Sequence, residues 1–142
     1  MKCGQNNDPS TVVDFELLPQ EETLDPGSYL DLTVHIKHDW YSEDTEHGRA
    51  LLSSFMTALS DPAQKVAILL LSGSSVRMIS GDHPLHDDLT RLAGNSLITG
   101  ASVESMEQYG IDPSSTDIRI TSYTAPDLAI EVIGAVRLIT LE

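Results

Sequence analysis

The chain has 142 residues, enough for one domain whose core needs no disulfide or structural metal to hold it. Its 22 Asp and Glu face only 8 Lys and Arg, for a formal net charge of -14, which sets nucleic acid and anionic membrane surfaces aside as expected partners. A single cysteine, Cys3, rules out an intramolecular disulfide and a cysteine-built zinc centre.

No apolar leader opens the sequence, and no apolar run approaches the ~20 residues that span a bilayer, so the expected location is the cytoplasm. Residues 1–28 read as an N-terminal arm. MKCGQNNDPS is polar and turn-rich; Val13, Phe15 and Leu17 then alternate with Asp14 and Glu16, the pattern of a short half-buried strand. The arm is expected either to be flexible or to add an edge strand, to its own sheet or to a neighbouring subunit.

The domain proper is expected over 29–142. Leu30, Leu32, Val34 and Ile36 alternate with polar neighbours and predict a strand. Ala50, Leu51, Leu52, Phe55, Met56 and Leu59 recur at 3.6-residue spacing, so 45–60 is a helix, begun by an acidic turn and ended by Asp61-Pro62. Val66 to Leu71 leaves no polar face and reads as a strand buried on both sides. After the turn Ser72-Gly73-Ser74-Ser75, residues 76–80 fit either a short helix or an extended piece. Asp82 or His83 with Pro84 predicts a helix start, Leu85, Leu89 and Leu92 its buried stripe, and Gly94-Asn95 its end. A strand at 96–101, a helix capped by Ser102 and closed at Gly110, a strand at 118–122, a helix from Thr124 to Gly134 and a strand at 136–141 complete the pattern. Such alternation specifies a three-layer α/β/α fold with a mostly parallel sheet of about five strands, because each parallel return needs a crossover.

In open α/β sheets ligands sit beyond the carboxyl ends of the strands. The loops there offer His38, Asp39, Ser74, Arg77, Ser102, Ser105 and Tyr123 as pocket candidates, with the helix starts at Ser102 and Thr124 favouring an anion. Capping alone also asks for Ser and Thr at those places. His35 and His38 lie on opposite faces of a strand and are poor co-ligands; His83 and His86 can share a side, but two histidines fall short of a zinc site. No metal and no cofactor is therefore assigned. Ser72 to Ser75 lacks the glycine spacing and lysine of a phosphate loop, and Gly100 to Glu104 is not a nucleophile elbow. No catalytic residue is assigned.

The segments GRALLSSFMTAL, KVAILLLSGSSVRM, LTRLAGNSLITGASVESMEQYGI and TSYTAPDLAIEVIGAVRLITL, in that order and spacing, resemble the DsrE-like domains of sulfur-relay proteins, nearest to that of the selenium-metabolism protein YedF, over about residues 30–142. The resemblance implies the same fold and a homo-oligomer, trimer or hexamer. Family members commonly carry a Cys-Gly-Thr-Cys-like turn; aligned on Gly110-Ile111, its cysteines fall on Ser102 and Ser105. A hydroxyl cannot hold a persulfide as a thiolate does. The resemblance thus points to a non-catalytic binding or assembly module in a sulfur- or selenium-related pathway, with a sulfur-relay protein as partner. The alternatives are a persulfide relay using Cys3 or a partner's thiol, and a small-ligand or nucleotide-binding domain on a flavodoxin-like sheet.

Overall fold

Strands that begin 16 to 34 residues apart along the chain meet in one sheet in the computed structural model of the chain, which describes residues 31–142. The N-terminal arm, its expected strand at Val13 to Leu17, and Cys3 lie outside the described residues. The elements are β1 (Leu32–Ile36), α1 (Glu46–Leu59), β2 (Val66–Leu71), a 3-10 segment (Gly73–Ile79), α2 (His86–Gly94), β3 (Ser96–Ser102), α3 (Val103–Tyr109), a short 3-10 turn (Pro113–Ser115), β4 (Thr121–Tyr123), α4 (Ala125–Ile133) and β5 (Arg137–Leu141).

The five strands lie in the order β4-β3-β2-β1-β5 and every pairing is parallel. From β1 to β4 the chain steps always in one direction, so right-handed crossovers put α1, α2 and α3 on one face. The return from β4 to β5 runs the other way, past three strands, and carries α4 on the opposite face. The expected three-layer α/β/α architecture is thus observed.

Registers follow from the pleat. Val34 stands beside Leu69 and Ile139, and Ile36 beside Leu71 and Leu141, so these side chains point together beneath α1–α3. With Leu52, Met56, Val76, Met78, Ile79, Leu89 and Leu92 they form the core, all buried but the half-buried Ile139. The other face holds Thr33, His35, Ile68, Leu70, Ile98, Gly100, Tyr123 and Leu138, and α4 covers it incompletely: none of the helix's own residues is buried.

Of the two readings of residues 76–80, the short helix is the one observed: Val76 to Ile79 close the 3-10 segment and Ser80 is its C-cap. Three local expectations need correction. The next helix begins at His86 with Leu85 as its cap, not with Asp82 or His83 as cap and Pro84 near the first position; His83 Nδ1 accepts from Leu85 N (3.0 Å) and holds the preceding residues in turns. The strand expected at 118–122 is β4 at Thr121–Tyr123; Ile118 is buried in the core instead, and its N–H goes to Thr116 Oγ1 (3.3 Å). On α1 the buried stripe is Gly48, Leu52, Met56 and Leu59, while Phe55 is 39% exposed and leans on Tyr41 with ring centroids 4.6 Å apart.

Candidate functional site

Parallel pairing sends β1, β2, β3 and β4 to finish along one edge of the molecule, where the candidate residues gather as expected. They form two groups rather than one pocket.

The first group lies on the α1–α3 side. Asp39, two residues beyond the loop's start, is buried; its backbone N–H donates to Ser74 Oγ (3.3 Å) and its carboxylate takes Arg77 Nη2 at 3.0 Å and His83 Nε2 at 3.0 Å. Burial alone pushes this carboxyl up, but hydrogen bonds from His83 and Arg77 and the charge of Arg77 outweigh it, so Asp39 titrates below the usual carboxylate range. His83 Nδ1 accepts from Leu85 N, so the ring proton is on Nε2 and both nitrogens are occupied. Arg77 also lies over the Tyr109 ring, 5.2 Å from its centroid. The guanidinium's charge is therefore matched by Asp39 and its face by an aromatic ring, which suits a structural clasp between the β1 and β2 loops better than an anion receptor.

The second group follows the strand tips. His35 Nε2 stands 2.8 Å from Ser72 Oγ; Gly73 N donates to Ser105 Oγ (2.9 Å); Ser105 N donates to Ser102 Oγ (3.1 Å); Ser102 Oγ donates to Glu104 Oε1 (3.3 Å); and Ala125 N, at the start of α4, donates to Glu104 Oε2 (3.3 Å). Ser102 is the N-cap of α3, the role its sequence position alone demanded. Hydrogen bonds from Glu104's own N–H and from Ala125 N hold the Glu104 carboxyl below its ordinary value, so it is a poor base for Ser102. His35 with Ser72 is the nearest approach to a base and nucleophile. Burial first, then the charge of Lys37, lowers the His35 pKa against the opposing Glu142, which favours the neutral ring. No group among the described residues orients its Nδ1, and the Gly73 N–H is already given to Ser105 and is not free to steady an oxyanion.

Of the other candidates, His38 stacks flat on Trp40 (centroids 4.0 Å apart, planes within 3°). Tyr123 is on the α4 face, its ring lying over Gly100, so it does not face Ser74 or Arg77. Burial, then Glu131 and Asp127, pushes its phenol pKa up. His83 and His86 part company: His86 Nδ1 pairs with the Met78 carbonyl (3.0 Å). Among the described residues no group of three or more His, Cys, Asp or Glu is arranged to hold a metal ion, and no helix is long and apolar enough to cross a membrane. Sequence reasoning missed His83, Ser72 and Glu104 as members of these networks. Asp39 and His83 are 44 residues apart, and no local spacing signals their contact.

A cavity of about 490 Å³ does exist, at the opposite, amino-terminal end of β3. None of the candidate residues lines it.

No protein-family model matches the sequence, and no curated protein matches it. Solved structures do. The conserved protein of unknown function BT1422 from Bacteroides thetaiotaomicron superposes with a TM-score of 0.55 at 13% identity, over 78% of this chain and 95% of that one. The protein of unknown function MTH1491 from Methanobacterium thermoautotrophicum gives 0.53 at 18% identity, over 77% and 96%. The ychN protein from E. coli gives 0.53 at 14% identity, over 78% and 98%. At such identities the likeness establishes a shared fold and is silent on activity.

Proposed function

We propose that this chain is a DsrE-like protein without the family's sulfur-carrying cysteines, working in the cytoplasm as a non-catalytic binding or assembly module of a sulfur- or selenium-related pathway. One observation carries the reading: Ser102 and Ser105, which stand where the resemblance puts the family's cysteines, are both spent in cap and loop hydrogen bonds. A hydroxyl so engaged, with only the weakly basic Glu104 carboxylate beside Ser102, neither carries sulfur nor attacks a substrate. The self-association that belongs to the reading is supported by the incompletely covered face: Ile130 is 66% exposed, Ile133 83%, Val136 80% and Leu138 41%.

Two measurements test it. Light scattering on the full chain is expected to give the mass of a trimer or hexamer, and Ile133→Asp is expected to dissociate it; a wild-type monomer at tens of micromolar refutes the assembly role. Intact-mass analysis after incubation with a persulfide donor is expected to show no added sulfur. A reducible adduct that disappears in Cys3→Ser and passes to an acceptor thiol would establish the persulfide relay in its place.

A further inference from the structure

The cavity at the amino end of β3 is an unfinished sheet edge. Val66 N donates to Asn95 O (3.1 Å), so Asn95 and Leu97 turn their ladder groups toward β2, and those of Ser96 and Ile98 point the other way. On that side β4 pairs only from Gly100 onward. Residues 117–119 pass nearby and line the cavity, yet among the described residues no backbone hydrogen bond joins them to Ser96 or Ile98. Beside this open edge Leu97 is 68% exposed and Ile98 36%. A free edge flanked by apolar side chains is a template for one more strand.

Charge marks the same place. Lys37, Arg49, Arg77, Arg91 and Arg137 each pair with a carboxylate. Lys65 and Arg119 have no carboxylate partner among the described residues; Arg119 lines the cavity together with Asp117, and Lys65, on the β2 side of β3, lines a smaller cavity that shares Gly94, Ser96 and Leu97 with it. A free edge with exposed Leu97 and Ile98 and the unmatched Arg119 beside it fits a segment that alternates apolar and acidic residues.

We infer that residues 12–18 of the same chain, VVDFELL, add a strand to β3 at Ser96–Thr99, with Val13, Phe15 and Leu17 on the Ile98 face of the sheet and Asp14 or Glu16 on the Leu97 face, near Arg119. The chain can reach. Residue 31 leads into β1 at the same end of the parallel sheet, and the new position lies three strand spacings away, about 14 Å. The 13 residues from 18 to 31 extend as far as roughly 43 Å. The other free edge, along β5, suits this segment less well: Arg137 is already taken by Asp31 and Glu142 by Lys37, so no unmatched cation stands there. Docking completes the sheet and hides Leu97 and Ile98 from unwanted pairing. It stands independently of the assembly role proposed above.

The test uses the full chain carrying Cys3→Ser, so that introduced cysteines are alone. Val13, Phe15 and Leu17 are each replaced by Cys in turn, once with Ile98→Cys and once with Leu138→Cys on the competing edge. Mild oxidation is expected to join the best Ile98 pair about tenfold faster than any Leu138 pair, as held proximity requires, and to leave it a monomer on a non-reducing gel. Equal rates, preference for Leu138, or a crosslinked dimer (the arm of a second copy) would overturn the inference. Amide exchange guards against misfolded double variants. In the otherwise natural chain, Phe15→Asp is expected to speed exchange at Ser96 and Ile98 about tenfold while Leu97, bonded toward β2, holds its rate. Unchanged exchange at Ser96 and Ile98 likewise overturns it.

Discussion

Asn95 is the side chain whose removal gives the sharpest measurement. It is 7% exposed, at the joint between α2 and β3, and its Nδ2 donates to the carbonyls of Leu59 (2.9 Å), Asp61 (3.0 Å) and Gln64 (2.9 Å). Two protons thus serve three carbonyls along the turn that takes the end of α1 into β2. Asn95→Ala removes about two net hydrogen bonds at about 1 kcal/mol each and strands the buried Leu59 carbonyl for about 1–2 kcal/mol more. The expected loss is about 3–4 kcal/mol, a large part of a typical domain's stability. With a urea slope of about 1.5 kcal/mol/M, the unfolding midpoint falls by about 2 M at unchanged slope. The isosteric Asn95→Asp is the companion. Its carboxylate has no proton to donate and faces three carbonyl oxygens, so at neutral pH it is expected to cost at least as much as Ala. It should recover in acid, where a protonated carboxyl can donate once. A midpoint shift under about 0.5 M for Asn95→Ala, or a wild-type midpoint for Asn95→Asp at pH 7, refutes the reasoning, because either leaves the three carbonyls content without this donor.

Asp39→Asn is expected to cost about 1–2 kcal/mol at neutral pH, read from urea midpoints; the exposed half of Arg77 is screened, and the buried His83 contact supplies most of the effect. Because the folded-state pKa of Asp39 is depressed, this stability is present above the ordinary carboxylate range and is lost as pH falls through the folded value, so the gap between variant and wild type should narrow in acid. His35 gives a separate pH signature: its folded pKa is lowered, so the unfolded chain binds the extra proton first and stability declines as pH drops below about 6.5. His35→Gln should flatten that part of a stability-against-pH curve, and an unchanged slope would refute the assignment. Two glycines separate a rigid neighbour from a movable one. A Cβ at Gly48 would overlap the Glu43 carbonyl oxygen, part of the backbone, and Gly48→Ala is expected to cost about 2–3 kcal/mol or more by thermal or urea unfolding. A Cβ at Gly100 would overlap only the Tyr123 ring, so Gly100→Ala should cost less and swing that ring out, returning the phenol pKa toward its ordinary value.

Where the sequence was read well, the signal was local. The apolar run Val66 to Leu71, the cap at Ser102, the glycine at Gly110 with its left-handed φ of 66°, and the stripe Leu85, Leu89 and Leu92 each express a rule spanning a few residues. Misreadings fell where a distant group intervened. Ile118 looked like a strand residue and was drawn into the core, so β4 starts three residues later. His83 looked like a helix start or a solvated ligand and is instead held by Asp39, which leaves His86 to begin the helix. The candidate residues did collect at the strand tips, but the expectation of one pocket did not foresee that the sheet itself divides Tyr123 from Ser74 and Arg77.

Composition and periodicity alone determined the alternation of elements, and with it a parallel sheet between helices, because a parallel strand pair joined by a short chain leaves room for little else. They also determined that no thiol stands at 102 or 105. Tertiary structure decided the strand order, the reversal between β4 and β5 that leaves α4 alone on its face, and the early end of β4 that opens the edge of β3. Those outcomes depend on which side chains, tens of residues apart, bury one another and satisfy one another's hydrogen bonds, a balance of burial and polar pairing that no window of neighbouring residues contains.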